Sequence, residues 1–233
     1  MRKDEAGRKL NLDRIVFIGR TYEEYLKIFS LSIDDLKGKR VLDCPAGACS
    51  FTAIAKQLGL NATAGDIAYS FLAEELETKG LNDINHVTEH MKKITRQYKW
   101  DYFKDLEELK QHRIKALKEF IKDLQNNRES YIPVTLPSLP FKDEQFDITL
   151  SAHFLFMYSD KLDFAFHQKV IDELLRVSTA EVRIFPLVDS IGNRHPLLNK
   201  WMDTIQKQGW QVDEVAVPYE FQKNANTMLK IYK

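Results

Sequence analysis

The apolar side chains of this chain follow two patterns, one typical of helices and one typical of buried strands. The first predicted helix ends before a break at residues 30–39 and carries apolar residues at helical spacing, at Tyr22, Tyr25, Leu26 and Phe29. Short apolar runs at 40–43 and 61–66 predict strands, and the helices after them are predicted to stop at Gly59 and Gly80. Alternating strands and helices predict a doubly wound α/β sheet.

The rest of the chain continues this alternation after a long charged segment. Residues 81–128 have helical periodicity and almost no Gly or Pro, which predicts an inserted set of amphipathic helices acting as a lid. Further strands are predicted at 131–135, 146–151, 181–187, 211–217 and 228–232, with helices at 161–176 and 196–208. We therefore expect a Rossmann-like doubly wound sheet of about seven strands. We expect one domain over residues 1–233, with a helical cap at 1–37.

Composition and charge narrow the choice of partners. The chain has 34 basic and 34 acidic side chains, so no overall field attracts a polyanion or an anionic membrane, and neither nucleic acid nor membrane is an expected partner. No apolar stretch is long enough to cross a bilayer, and the first residues lack the apolar run of a secretory signal. The two cysteines, Cys44 and Cys49, lie in one loop and give no disulfide framework. We expect a cytoplasmic protein.

The clearest chemical signal is a small-residue loop after the first predicted strand. Asp43 closes that strand, and the loop CPAGACS leads into a helix, so backbone N–H groups can approach a ligand closely. Asp66 closes the second strand 23 positions later, where an acidic side chain can accept hydrogen bonds from ribose hydroxyls. A dinucleotide site would require glycines where Pro45 and Cys49 stand, so the pattern favours a nucleoside without phosphates. An ordinary strand-to-helix turn is the structural alternative for the loop.

This segment resembles the first motif of class I S-adenosylmethionine-dependent methyltransferases. Asp43 takes the acidic position and Gly47 the middle glycine of that motif, whereas Pro45 and Cys49 replace the outer glycines. A second stretch resembles the Leu-Pro-Phe and Phe-Asp signature of small-molecule methyltransferases of the type 11-like domain, with matches at Leu139, Pro140, Phe141, Phe146 and Asp147. The last two strands look like the reversed terminal hairpin of this fold.

The resemblance implies S-adenosylmethionine as cofactor and a set of residues to bind it. Two of them, Arg20 and Tyr25, lie in the stretch that folds over the cofactor in related enzymes, and Arg20 could pair with the methionine carboxylate. The other expected cofactor-binding residues are Asp43, Pro45, Ala46, Gly47, Asp66, Ile67, Thr135, Leu136 and Ser151.

Methyl transfer chiefly needs alignment of the reacting groups and exclusion of water. If the acceptor must lose a proton, His153 is the candidate base, and Tyr158 could hydrogen-bond the acceptor; core packing is the alternative for both. The lid aromatics Tyr98, Trp100, Tyr102 and Phe103 would line the pocket, although the same helices could instead form a dimerisation arm or a protein-docking surface.

Two further interpretations compete with a methyltransferase that acts on a small-molecule acceptor. Residues 86–90 read His-Val-Thr-Glu-His, which matches a zinc signature of inverted metalloproteases, but that class needs another acidic ligand and a different fold, so we expect no metal. The second is a non-catalytic S-adenosylmethionine-binding module or interaction scaffold with the same fold. The sequence leaves open the acceptor atom and whether the protein is a monomer or a homodimer.

Overall fold

The computed structural model describes residues 16–233 of the chain. In that range, seven strands form one sheet: β1 (Arg40–Asp43), β2 (Asn61–Asp66), β3 (Tyr131–Pro133), β4 (Phe146–Ala152), β5 (Ser178–Phe185), β6 (Gln211–Ala216) and β7 (Thr227–Tyr232). The α-helices of the same range are α1 (Tyr22–Ile28), α2 (Ile33–Leu36), α3 (Phe51–Gln57), α4 (Ala73–Met91), α5 (Leu106–Asn126), α6 (Phe164–Arg176) and α7 (Leu198–Lys207). The predicted Rossmann-like mixed sheet is confirmed. The part of the predicted N-terminal cap before residue 16 lies outside the described residues.

The strand order of the sheet indicates where a ligand would bind. The order is β3-β2-β1-β4-β5-β7-β6, and β1 to β5 run parallel to one another. The order reverses between β1 and β4, and ligands of open α/β sheets bind outside the carboxyl ends of the strands at such a point. The last strand, β7, pairs antiparallel with both β5 and β6, which confirms the predicted terminal hairpin.

The first helix is fixed by its sequence. Thr21 caps α1 by accepting from the Glu24 backbone N–H, and the Glu24 carboxylate accepts from the Thr21 N–H in return. This reciprocal capping box satisfies two backbone donors that would otherwise lack partners. The predicted break at residues 30–39 contains one more helical turn, α2, which Ser32 and Asp35 cap in the same way.

The predicted stop at Gly80 is wrong, although the stop at Gly59 is not. Gly59 has a φ of 76°, the left-handed conformation that ends a helix, whereas α4 continues through Gly80 to Met91. A Cβ at Gly80 would lie 2.6 Å from Cδ1 of Leu117 on α5, so this glycine lets the two helices approach closely. The helix predicted to end at Gly80 and the start of the insert predicted at residue 81 are therefore parts of one helix, α4.

Neither a membrane-spanning helix nor a group of metal ligands is found in the described part of the chain. In the described part of the chain, no helix combines the length and apolar character that crossing a membrane would require. His86 and His90 lie one turn apart on α4 with ring centroids separated by 4.3 Å. No cluster of three or more candidate metal ligands occurs among residues 16–233, so within this range the pair has no further ligands with which to form a zinc site.

Candidate active site

A cavity of about 460 Å³ lies at the carboxyl ends of the five parallel strands. It is lined by the loops or residues that end β1, β2, β3, β4 and β5, together with α4, α5 and the segment before β7. Most of the expected cofactor-binding residues line it: Arg20, Pro45, Ala46, Gly47, Asp66, Ile67, Thr135 and Leu136. Both expected catalytic residues, His153 and Tyr158, line it as well.

The loop after β1 is joined directly to the end of β2. Gly47 has a φ of 56°, a conformation that side chains other than glycine adopt only under strain. Its N–H donates to Oδ2 of Asp66 at 2.9 Å, and its carbonyl accepts from the Tyr69 hydroxyl at 2.8 Å. These bonds hold the loop and the carboxylate in a fixed relation at the cavity wall.

The Asp66 carboxylate is oriented to accept hydrogen bonds from a ligand. Its Oδ1 accepts from the Ala68 N–H at 2.9 Å, so each carboxylate oxygen already has one backbone donor. An ionised carboxylate has about four lone-pair sites, so Asp66 can accept further hydrogen bonds from a ligand. Burial raises the pKa of Asp66, while the two backbone donors lower it. The side chain is 8% exposed, and a ligand in the cavity would meet an oriented acceptor.

Asp43, Tyr25 and Ser151 are near the cavity but do not line it. The Tyr25 hydroxyl donates to Oδ1 of Asp43 at 3.1 Å, and the Tyr25 ring packs against Phe29 and Phe51 in the core. Oδ2 of Asp43 is buried and has no hydrogen-bond partner among the described residues. Burial raises the pKa of Asp43 well above its ordinary value. The structure therefore does not bring Tyr25 to the expected cofactor position. Tyr25 instead hydrogen-bonds Asp43 from the core.

A buried charge cluster that the sequence did not reveal lies beside Arg20. Glu24 forms a bidentate ion pair with Arg113, at 2.5 Å from Nη1 and 3.0 Å from Nη2. The Tyr219 hydroxyl and the Thr21 N–H also donate to this carboxylate. Four donors therefore occupy the four lone-pair sites of Glu24. Burial alone would raise the pKa of Glu24, but Arg113, the charge of Arg20 and the Thr21 N–H lower it overall.

Arg20 makes no hydrogen bond to that carboxylate, although the Glu24 charge raises the pKa of Arg20 and opposes the effect of burial. Its Nε is buried without a hydrogen-bond partner among the described residues, and the side chain lines the cavity. Burial lowers the pKa of Arg20, and the neighbouring Arg113 lowers it further. An unpaired buried guanidinium is costly, and an anionic group of a ligand would offset that cost.

His153 lies directly after β4 and faces the cavity. Its φ is 52°, and its backbone N–H donates to the Phe185 carbonyl at 2.6 Å, so the residue is held at the junction of β4 and β5. Its Nδ1 is buried and unpartnered within the described chain. Burial lowers the pKa of His153 well below its ordinary value, and Arg20 and Arg113 act in the same direction. The ring is therefore neutral near pH 7 and able to accept a proton.

The segment from Val16 to Arg20 crosses the cavity beside the β1 loop. The Phe17 N–H donates to Oδ2 of Asp83 on α4 at 2.8 Å, and the Arg20 N–H donates to Sγ of Cys49 at 3.2 Å. Gly19 lies so close to the loop that a Cβ there would be 1.8 Å from the carbonyl oxygen of Ala48. This contact requires glycine because no side chain fits between the two backbones.

Of the four lid aromatics, only Tyr98 lines the cavity. Trp100 and Phe103 pack edge-on against Phe221, and Tyr102 packs against Tyr219. The expectation that all four line the pocket is therefore wrong for these three. Their large apolar surfaces pack against the segment before β7, which the sequence pattern did not place beside the lid.

Comparison with known proteins gives one close relative by sequence. The chain is 36% identical over 225 residues to the uncharacterized protein MJ0045 of Methanocaldococcus jannaschii, which covers 96% of this chain and 99% of that protein. No model of a known protein family matches the chain.

Solved structures share the fold at low sequence identity. Magnesium protoporphyrin IX methyltransferase (ChlM) from Synechocystis PCC 6803 with bound SAM has a TM-score of 0.51 and 11% identity, covering 91% of this chain and 77% of that one. The same enzyme with bound SAH has a TM-score of 0.52 and 10% identity, covering 91% and 83%. The fold is thus that of class I S-adenosylmethionine-dependent methyltransferases, and the chain belongs to the family of the uncharacterized protein MJ0045.

Proposed function

We propose that the protein is an S-adenosylmethionine-dependent methyltransferase that acts on a small-molecule acceptor. The observation that carries the proposal is the cavity at the carboxyl ends of the strands, which is lined by Asp66, the Gly47 loop and Arg20, whose Nε has no hydrogen-bond partner among the described residues. A nucleoside bearing an amino acid needs a hydrogen-bond acceptor for its ribose hydroxyls and a cationic side chain for its carboxylate in one cavity. These residues have that chemistry.

The cavity residues fit the cofactor group by group. Asp66 would accept hydrogen bonds from the ribose hydroxyls, and Ile67, Thr135 and Leu136 would surround the adenine. Arg20 would pair with the methionine carboxylate, which satisfies its unpartnered guanidinium. The small residues of the β1 loop would let the backbone N–H groups of the protein approach the cofactor closely.

When bound, S-adenosylmethionine would supply a methyl group already activated by the positive charge on sulfur. The protein's own task is then to orient the acceptor and exclude water, which the apolar walls of the cavity favour. The lowered pKa of His153 keeps its ring neutral and makes it a weak base, so the ring would serve an acceptor that loses its proton readily or would hydrogen-bond the acceptor. Burial raises the pKa of Tyr158, so its hydroxyl remains protonated and can donate a hydrogen bond to the acceptor.

The comparisons set the limits of this proposal. The relative MJ0045 is uncharacterized and supplies no activity, and the ChlM structures share only the fold, so their porphyrin substrate is not transferred to this chain. The cytoplasmic location, the single-domain organisation and the small-molecule acceptor belong to the proposal.

A thermal-shift experiment with S-adenosylhomocysteine tests the proposal. At about one hundred times Kd the ligand should add about 2.7 kcal/mol of stability, which corresponds to a Tm increase of roughly 5–10 °C. Asp66→Asn should abolish most of the increase, while Asp34→Asn, a change at the exposed start of α2, should preserve it. No increase in the parent chain would contradict the proposal.

Binding without catalysis would favour the non-catalytic module. That alternative draws its support from Pro45 and Cys49, which replace the outer glycines of the motif. Burial raises the pKa of Cys49 to about 12, so this thiol stays protonated and does not act as a nucleophile. Release of S-adenosylhomocysteine from S-adenosylmethionine with a panel of acceptors distinguishes the two functions.

A further inference from the structure

The cavity extends beyond the residues expected to hold the cofactor. Its far half lies between α4, α5 and the segment before β7 and is mostly apolar, with walls that include Ile84, Val87, Met91, Leu109, Phe185 and Phe221. We call this region the far half of the cavity. Under the proposed function the methyl acceptor occupies this region. The side chains of the far half therefore determine which acceptors bind.

The charged groups at the cavity wall are already paired, apart from Arg20. Lys79 contacts Oδ2 of Asp83 at 2.8 Å, and Arg113 is held by Glu24. Among the described residues that line the cavity, Asp66 is the one with a carboxylate, and it lies beside the β1 loop. No carboxylate at the far half would neutralise an ammonium group, and an unpaired charge in an apolar site is strongly disfavoured.

Two segments beside the far half of the cavity pair with each other. The Lys99 N–H donates to the Phe221 carbonyl at 2.7 Å, and the Lys223 N–H donates to the Gln97 carbonyl at 3.1 Å. Tyr98, between the two bonded residues, stacks on Phe221 with ring centroids 4.8 Å apart. The pairing holds Tyr98 and Phe221 side by side, and a cavity of about 460 Å³ has room for a ligand of small-molecule size.

Tyr98 gives the far half one polar group of its own. Its side chain lines the cavity, and its ring stacks on Phe221, which lines the same region. Burial raises the pKa of Tyr98 to about 12, so the hydroxyl keeps its proton and can donate or accept a hydrogen bond.

We propose that the far half of the cavity binds an uncharged, largely apolar acceptor, that Tyr98 hydrogen-bonds it, and that acceptors carrying an ammonium or carboxylate group are disfavoured. The proposal rests on the proposed function, because it assigns Arg20 to the cofactor and not to the acceptor. Tyr98 is then a residue that determines specificity at the site.

Matched probe molecules test the charge preference by calorimetry, with and without saturating S-adenosylhomocysteine. One set is para-ethylphenol, tyramine and para-hydroxyphenylpropionate, and the other is hexanol, hexylamine and hexanoate. We expect the uncharged member to bind at least tenfold more tightly than its charged partners in at least one set when S-adenosylhomocysteine is present. Tighter binding of a charged member, or no binding by either uncharged member, would overturn the inference. The affinity for S-adenosylhomocysteine is measured first, so failure of the proposed function is recognised separately.

Variants locate the binding in the far half. Tyr98→Phe should weaken para-ethylphenol binding about fivefold, the loss of one hydrogen bond, and leave S-adenosylhomocysteine binding unchanged. Tyr102→Phe is the matched control, since Tyr102 does not line the cavity. Val87→Glu adds a carboxylate to the wall and should shift the preference toward tyramine. Equal effects of the two tyrosine variants, together with an unaltered preference in Val87→Glu, would refute the assignment.

Discussion

Replacing Glu24 by Gln should be among the most destabilising single changes in this chain. Four donors converge on the Glu24 carboxylate: two guanidinium nitrogens of Arg113, the Tyr219 hydroxyl and the Thr21 N–H. Glutamine offers one carbonyl oxygen with two lone pairs, so two of these donors lose their acceptor. At about 1–3 kcal/mol for each buried unsatisfied donor, and with Arg113 left as an unpaired buried charge, we expect a loss of about 4 kcal/mol.

Urea unfolding followed by circular dichroism measures this loss. A decrease of about 4 kcal/mol is a large share of the roughly 5–15 kcal/mol that stabilises a typical protein. The control is Asp34→Asn, which breaks the exposed pair with Lys37 and should cost less than about 0.5 kcal/mol. If Glu24→Gln does not fold, adding Arg113→Met should restore folding, because the unpaired charge is then removed. A loss below about 1 kcal/mol for Glu24→Gln would refute the assignment of a buried, saturated ion pair.

Three further predictions concern the helices, the β1 loop and His153. Gly80→Val should lower the free energy of unfolding by about 2 kcal/mol in urea because the side chain would collide with Leu117, and a stable variant would contradict the close helix contact. Gly19→Ala should weaken S-adenosylhomocysteine binding at least tenfold in calorimetry, since its Cβ cannot fit against Ala48, and unchanged affinity would count against the crossing segment. The pKa of His153 is lower in the folded state, so the unfolded chain binds more protons below about pH 6.5 and stability falls as the pH falls. Between about pH 7.5 and 5.5 the parent should therefore lose about 1 kcal/mol more than His153→Gln, and equal losses would contradict this pKa direction.

The sequence was sufficient for the sheet because its strands are short apolar runs bounded by turns and separated by helices. Glycine was harder to interpret: Gly59 ends a helix with a positive φ, whereas Gly80 permits contact between two helices. Both look alike in a linear pattern, since one depends on local backbone conformation and the other on a partner 37 residues away, at Leu117. The short helix at Ile33–Leu36 was missed although Ser32 and Asp35 give a readable capping signal.

In the candidate site, too, the residues placed by local pattern could be predicted, whereas those brought together by distant contacts could not. Strand ends meet at one edge of a parallel sheet, so the position of Asp66 followed from the strand pattern, whereas Thr135 was implied by the family resemblance. The cluster around Glu24 joins residues 89 and 195 positions apart, and no local pattern gives such a contact. One signal was present: Arg113 interrupts an apolar stripe between Leu109 and Leu117 at four-residue spacing, which indicates a buried charge that needs a partner.

Calorimetric titration of the chain with S-adenosylhomocysteine tests the central claim most directly. The account predicts saturable binding at one site per chain, with the affinity reduced at least tenfold in both Asp66→Asn and Arg20→Ala, because under the proposed function Asp66 would bind the ribose and Arg20 the carboxylate of the ligand. Asp34→Asn should bind as the parent does. No detectable binding by the parent chain, or parent-like affinity in both cavity variants, would contradict the account.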